Sequence, residues 1–399
     1  MMKRFLVSVT AGRWQMPIIE KAKNNGYSVI AIDSDSEAPG LKIAQHSIVT
    51  SLEMVEDIIR QLGLISKKLD GVVSYCSEAG MTLAAHIRKE FCLEGSNLVE
   101  SELLQNKFLQ RSRWKNANVP STDFRFFHDE TEAVGYLMSV GLPKVIKPVD
   151  SSGSRGVTIL RDVTKAEVAI SVAFKHSKSK GILIENFLRG VEFTVEAFVV
   201  SGEIYILLIT EKTKIDEAHP TIADSLTSLK PHSLVWNKLK AAAQAALISL
   251  NYQNGPAHLE IMYDPVTDSL GLIELAGRGG GFNLASKLIP STTGLDFADL
   301  CLKSATGDDF RINPLFYRPS ILFFVPATEG VLVGVKGFEE INSIPGVEAE
   351  MLVKLGQQLQ APESDGDRIC SVVITAETSE KRQDLLEKVR GTLTIEVRK

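Results

Sequence analysis

Over the first hundred residues, short apolar runs alternate with stretches of helical periodicity. Phe5 to Thr10, Val29 to Ile32 and Gly71 to Cys76 are runs of the length of buried strands. Pro17 to Asn24 reads as a helix, and Leu52 to Leu62 is a periodic segment ahead of the third run. Alternating β and α units predict a parallel sheet with helices on its faces, a doubly wound α/β domain over residues 1–105.

From about Asn106 the pattern changes. A helix through Asn116 is followed by the turn Val119-Pro120-Ser121, a helix from Thr131 to Val140 and a strand from Lys144 to Val149. Paired runs then carry hairpin signals. Glu192 to Val200 and Ile204 to Thr210 flank Ser201-Gly202, and Ala257 to Tyr263 and Ser269 to Leu275 flank a turn with Asp264-Pro265. With an Ala-rich helix from Leu239 to Leu250, residues 106–310 read as an α+β domain with antiparallel sheet. A third unit, 311–399, holds strands Ser320 to Val325, Cys370 to Thr375 and Thr392 to Val397 and a helix from Ser379 to Arg390, an α+β lobe.

Composition narrows the class. The chain has 399 residues, 44% hydrophobic and 23% charged, which suits two to three globular units and excludes disorder, collagen and coiled coil. No apolar stretch reaches the roughly 18 residues of a membrane span. With 44 basic and 49 acidic residues the net charge is -5, so general attraction to nucleic acid has no support. Cys76, Cys92, Cys301 and Cys370 form no CxxC pair, and the apolar run after Met1-Met2-Lys3-Arg4 is too short for a secretory signal. A cytoplasmic, reducing environment is the expectation.

Candidate chemistry lies in five places. Thr10-Ala11-Gly12-Arg13-Trp14-Gln15 has one glycine of a dinucleotide fingerprint, with Asp33 where a ribose-binding acid would stand; a glycine turn without a bound dinucleotide is the better reading. Lys147-Pro148 precedes Ser151-Ser152-Gly153-Ser154-Arg155-Gly156, whose small residues let backbone N–H groups approach phosphate, although alone the segment also reads as a flexible hairpin. Glu185-Asn186-Phe187-Leu188 offers an apolar strand edge for a purine. Alternation then puts Glu192, Thr194 and Glu196 on one polar face, suited to solvent or to a site. His258-Leu259-Glu260 and Glu274-Leu275-Ala276-Gly277-Arg278-Gly279-Gly280-Gly281 sit on two strands of one hairpin. Facing carboxylates repel unless a cation lies between them, and oxygen-only ligands favour magnesium. Loss of one of the pair is therefore expected to leave the metal-free fold as stable as before or more so. An exposed acidic hairpin is the competing reading.

In the order Asn106-Lys107, Lys147 with the Ser/Gly loop, Glu185 to Glu192, Glu260, and Glu274 to Gly281, these segments resemble the ATP-grasp superfamily, more closely its carboxylate-amine ligase branch that includes the L-amino-acid ligases. The resemblance covers essentially the whole chain, since Gly346-Val347 through Ser364-Asp365-Gly366-Asp367-Arg368 is similar to the family's closing lobe. It implies a pre-ATP-grasp domain, an ATP-grasp domain and a C-terminal lobe. It also implies ATP and Mg2+ as cofactors, with Mn2+ as a substitute, and small-molecule carboxylate and amine substrates. A homodimer is expected from the resemblance and from the general frequency of symmetric dimers; no nucleic-acid or membrane partner is. Lys107 and Lys147 would bind phosphates under a lid formed by Ser151, Ser152, Gly153, Ser154 and Gly156. Glu185, Phe187 and Leu188 would form the adenine hinge and Glu192 would hold ribose. Glu260 and Glu274 would bind the metal, and Arg278, with Lys147, would act in catalysis. Lys212, His219, Gly279 and Gly280 fall on the substrate side, although a lone histidine such as His219 is more often structural. Many relatives carry Asn where this chain has Ala276; either the metal is held more loosely or Asn283 compensates.

The implied reaction is ATP-dependent amide or peptide formation through an acyl phosphate, releasing ADP and phosphate. A biotin-carboxylase-like or purine-biosynthetic ligase would share the ATP site. An NAD-dependent oxidoreductase would need the N-terminal domain to be the active one, and a non-catalytic nucleotide-binding module is the remaining class.

Overall fold

The computed structural model describes residues 3–217 and 219–399. Four parallel strands open the chain, in the spatial order His46–Val49, Tyr27–Asp33, Arg4–Val9 and Gly71–Val73. The near-continuous apolar runs of Tyr27–Asp33, Arg4–Val9 and Gly71–Val73 follow from burial on both faces, while His46–Val49 at the edge is mostly uncovered. Leu6 packs with Ile18, Ile19 and Ala22 of the helix Met16–Asn24 on one side. Val7 and Val9 pack on the other with Ile58 and Leu62 of Val55–Ile65 and Leu83 and Ile87 of Met81–Phe91. The doubly wound expectation therefore holds. Asp33 is occupied by the backbone around it, accepting from the N–H of Ala11 at 2.7 Å and of Asp35 at 2.9 Å. The strand read as Gly71 to Cys76 stops at Val73, and the chain from Cys76 to Ala79 turns instead into the central cavity.

Two antiparallel sheets follow. The smaller has the order Phe124–Phe127, Ile182–Asn186, Lys144–Pro148, Thr158–Leu160, backed by the helices Glu130–Ser139 and Ala166–His176. The larger has eight strands, in the order Ser269–Ala276, Gly255–Asp264, Val191–Val200, Glu203–Lys214, Ala223–Ser228, Ser320–Pro326, Arg368–Thr375 and Val347–Met351. The last three come from the C-terminal lobe, so one sheet continues past residue 311. A small sheet of Gln358–Leu359, Gly330–Lys336 and Thr394–Arg398 and the helix Ser379–Thr392 complete that lobe. No helix of the described residues is long and apolar enough to cross a membrane.

Strand periodicity sets up the site. Along Val191–Val200, Phe193, Val195, Ala197 and Val199 enter the core beside the helix Leu234–Ser249. Glu192, Thr194 and Glu196 face the other way; the first two line the cavity between the two sheets, and Glu196 lies buried behind His258. Gly190 makes the approach to this strand possible: its φ is +117°, and a Cβ there would lie 2.2 Å from the carbonyl oxygen of Tyr263. Gly190→Ala is expected to cost about 1–3 kcal/mol from backbone strain, with the clash added. Chemical denaturation checks this; an unchanged midpoint would show that the strand has room to shift.

Candidate functional site

The cavity between the sheets has a volume of about 870 Å³, within the range of small-molecule sites. One buried group in its wall is Lys147, whose Nζ lies 2.6 Å from Glu185 Oε2. Both come from the small sheet, where Val145 is the register partner of Glu185. Arg111 completes the group, its Nε 2.8 Å from Glu185 Oε1 and an NH2 donating to the Ile273 carbonyl at 2.5 Å. All three are buried. Burial would raise Glu185, but Arg111 and Lys147 outweigh it and hold its carboxyl below the usual range. Burial pushes Lys147 down to about 8 against the pull of Glu185. The carboxylate expected in the adenine hinge is thus bound inside the wall, on a strand paired on both sides. Phe187 and Leu188 line the cavity, with the Arg161 guanidinium 5.1 Å from the Phe187 ring centroid.

Lys107 opens the helix Lys107–Asn116, and its N–H donates to the Val149 carbonyl at 2.8 Å, just past the strand that carries Lys147. Its Nζ lies 2.5 Å from the Ser151 carbonyl and 2.9 Å from Glu274 Oε1. Burial works against its charge, yet Glu274 and Glu78 together raise its pKa. Ser151, Ser152, Gly153 and Ser154 line the cavity; Gly156 completes the loop, and Gly153, Ser154 and Gly156 adopt positive φ.

On the floor, Glu260 and Glu274 are register partners, with a bulge directly after Glu260. Their repulsion is relieved by lysines. Lys212 Nζ lies 2.8 Å from Glu260 and 2.7 Å from Glu192, while Glu274 takes Lys107. Lys214 lies 2.7 Å from the other Glu192 oxygen. Burial disfavours the Lys212 charge, but Glu192 and Glu260 carry its pKa well above the ordinary value. Glu260 is held low despite burial by Lys212, His258 and Lys214. The facing carboxylates open partly into the cavity and are hard oxygen donors, a set that fits magnesium once phosphate oxygens are added. Among the described residues, no three His, Cys, Asp or Glu side chains already converge on one point.

Arg278 leaves the floor towards the N-terminal domain, its NH2 3.4 Å from Glu78 Oε2 and its NH1 donating to the Gly279 carbonyl at 3.2 Å. Burial raises the Glu78 carboxyl even beside Arg278. The glycine segment is packed tightly. Gly279 N–H donates to the Tyr75 carbonyl at 3.1 Å and Gly280 N–H to Glu196 Oε2 at 3.2 Å; a Cβ on Gly280 would sit 2.2 Å from Leu284 Cδ2. Gly280 lines the cavity and Gly279 backs it. Two residues are not brought in. His219 pairs with Asp216 at 2.8 Å outside the lining, where its neighbours Pro220 and Thr221 stand. Asn283 donates to Glu350 and Ser371, both at 2.8 Å, and accepts from Ser286, so its amide does not replace a donor at Ala276.

Arg111, Glu78 and Lys214 have no counterpart among the residues singled out from sequence. Arg111 had a signal: Lys107, Arg111 and Trp114 share one helical face, i, i+4, i+7, and all are buried. Glu78 follows a strand end, where loop residues of such sheets reach ligands.

The geometry has parallels. Residues 140–286 match a family model described as an ATP-grasp domain, and residues 322–398 one described as L-amino acid ligase C-terminal domain 2. A phosphoribosylamine–glycine ligase of Lactococcus lactis is 34% identical over 130 residues, 33% of this chain and 31% of its own length. The chain spans about a third to a half of the curated relatives it matches. The L-amino acid ligase of Bacillus licheniformis superposes with a TM-score of 0.85 at 20% identity, over 100% of both chains. The biotin carboxylase domain dimer of a 2-oxoglutarate carboxylase from Hydrogenobacter thermophilus, solved with MgADP, ADP and bicarbonate, has a TM-score of 0.78 at 18% identity, over 100% of this chain and 92% of that one. At such identities these two establish a common fold.

The lysine pairing reverses the stability expectation for the carboxylates. Glu274→Gln leaves buried Lys107 without its partner and should destabilise the metal-free protein by roughly 3 kcal/mol, the order found when one member of a buried pair is removed. Urea denaturation in EDTA reads this, and an unchanged or higher midpoint would restore simple repulsion as the dominant effect.

Lys147 supplies a pH dependence. A phosphate group beside it raises its pKa from about 8, so nucleotide binding above that pH takes up a proton and affinity falls by up to about tenfold per unit. Calorimetry of ADP binding at pH 9 in buffers of different ionisation heat should reveal the uptake. Affinity constant from pH 7 to 9.5 would mean that Lys147 does not meet the nucleotide.

Proposed function

This chain belongs to the ATP-grasp superfamily, and from that premise we propose that it is an ATP-dependent carboxylate-amine ligase. The observation that carries the reading is the arrangement of the cavity: Lys147 and Lys107 at one end, Arg278 at the other, and Glu260 facing Glu274 between them. The L-amino acid ligase character of residues 322–398 favours this branch over a biotin-carboxylase-like or purine-biosynthetic acceptor. The working units are residues 1–105, 106–310 and 311–399, with the last two sharing the large sheet.

In this reading ATP lies with its base against Phe187 and Leu188, just past the strand Ile182–Asn186, and its ribose near Glu192. Lys107 and Lys147 turn from their carboxylates to the phosphates. Ser151, Ser152, Gly153, Ser154 and Gly156 close over them, keeping water from the reactive intermediate. Magnesium held by Glu260 and Glu274 supplies charge neutralisation on the transferred phosphoryl group. A carboxylate oxygen of the substrate attacks the terminal phosphorus and ADP leaves. The amine nitrogen then attacks the acyl carbon, the C–O bond to phosphate breaks, and the nitrogen sheds a proton. Arg278, aimed by Glu78, stabilises charge on the phosphoryl and acyl oxygens with its planar fork. Lys212 holds Glu192 and Glu260 in register, and the backbone of Gly279 and Gly280 sets the direction of Arg278.

A hydroxamate assay tests the reading. With ATP, a carboxylate pool and hydroxylamine, the protein should release ADP and form hydroxamate, and Lys147→Ala should cut the rate more than tenfold at unchanged circular dichroism. Nucleotide binding without ADP release from any carboxylate and amine pool would leave a regulatory module; stabilisation by NAD but not by ADP would move the function to the N-terminal domain.

A further inference from the structure

The sheet floor holds a histidine that the ligase reading does not use. His258 is the register partner of Ala276 across the strand pair that carries Glu260 and Glu274. Ala276 brings only a methyl group to the position. His258 lines the cavity, and its Nδ1 is paired with Glu196, a carboxylate with only 1% of its side chain exposed. The other Glu196 oxygen accepts from Gly280 N–H at 3.2 Å, which fixes the carboxylate behind the imidazole. With Nδ1 committed, Nε2 faces Glu260, 4.0 Å from its Oε1. Two donors that far apart are spaced close to the span of two metal bonds of about 2.1 Å each. A carboxylate behind an imidazole whose second nitrogen is free is the arrangement that recurs at metal-ligating histidines, where it sets the tautomer and raises ligand basicity.

We propose that His258 is a nitrogen ligand to the divalent cation of this site, standing in for the donor absent at Ala276, with Glu196 as its positioning residue. This rests on the reading of Glu260 and Glu274 as metal ligands. An ion there would draw Glu274 away from Lys107, freeing that lysine for phosphate, while Lys212 keeps Glu192 and Glu260 in register. An imidazole in the set disfavours magnesium, which keeps to oxygen donors, and shifts preference towards transition-series dications, of which manganese is the probe.

The test uses the full chain labelled with [15N]histidine, unlabelled ADP and Mn2+, read by pulsed electron paramagnetic resonance. Wild type should show 15N coupling to the ion, and His258→Ala should abolish it. In titrations with ADP present, His258→Ala should weaken Mn2+ at least about tenfold while leaving Mg2+ within about threefold. Glu196→Gln should weaken Mn2+ about tenfold and retain the coupling. Mn2+ bound with ADP in wild type without 15N coupling overturns the proposal and leaves the two-carboxylate site standing. That measurement needs no variant to fold. Should neither ion bind with ADP, and Glu274→Gln change nothing, the metal site itself falls, and this proposal with it.

Discussion

A charge taken out of water must meet an opposite charge, and the free protein satisfies that constraint throughout its cavity. Lys147 and Arg111 share Glu185, Lys107 takes Glu274, Lys212 bridges Glu192 and Glu260, Arg278 takes Glu78 and His258 takes Glu196. Desolvating any one alone would cost several kcal/mol, so the set is built as pairs. The pairs also join the fold: Arg111 reaches from a helix to the small sheet, and Glu78 from the N-terminal domain to the end of the floor.

The same pairing makes the site receptive to a ligand of mixed charge. Phosphates alone would win the lysines but strand the glutamates, and a cation alone would do the reverse. A metal–nucleotide complex would replace both partners at once, each buried group passing from one counter-charge to another. The innermost pairs are the exception. Glu185 keeps a counter-charge even when Lys147 turns to a phosphate, because Arg111 is bonded both to it and to the Ile273 carbonyl. That residue is therefore a strut, which is why its charge is held so firmly while its position in the chain suggests a hinge.

Legibility in the sequence followed the range of the interaction. Period-2 alternation was enough to gather Glu192, Thr194 and Glu196, and the hairpin spacing was enough to set Glu260 against Glu274. The parallel N-terminal sheet was also plain, since strands buried on both faces write continuous apolar runs. What could not be read were partners brought together from far apart. Glu78 and Arg278 are 200 residues apart, Arg111 and Glu185 74, and each alone looks like an ordinary surface charge. The expectation about Glu274 was limited in the same way: its repulsion from Glu260 is local and visible, whereas its pairing with Lys107 joins two distant positions of the unit 106–310. His219 and Asn283 show the converse, residues of suitable chemistry whose loops send them elsewhere.

Asn283 bears on how the Arg278 end of the floor is oriented. Phe282 and Asn283 both have positive φ, at 53° and 71°, and for a bulky residue such as Phe282 that conformation persists only where contacts enforce it. They do so from three directions. The Phe282 ring lies 5.1 Å from Trp14 of the N-terminal domain and 4.5 Å from the guanidinium of Arg368 in the C-terminal lobe, and Asn283 is bonded to Glu350 and Ser371 of that lobe. A few residues earlier, Gly279 is bonded to Tyr75 and Gly280 to Glu196. The segment from Gly277 to Asn283 is therefore held by all three parts of the chain, and Arg278 lies within it. A shift of either flanking domain must move this segment or break one of those bonds, so the direction of Arg278 reports how the three parts are set against one another.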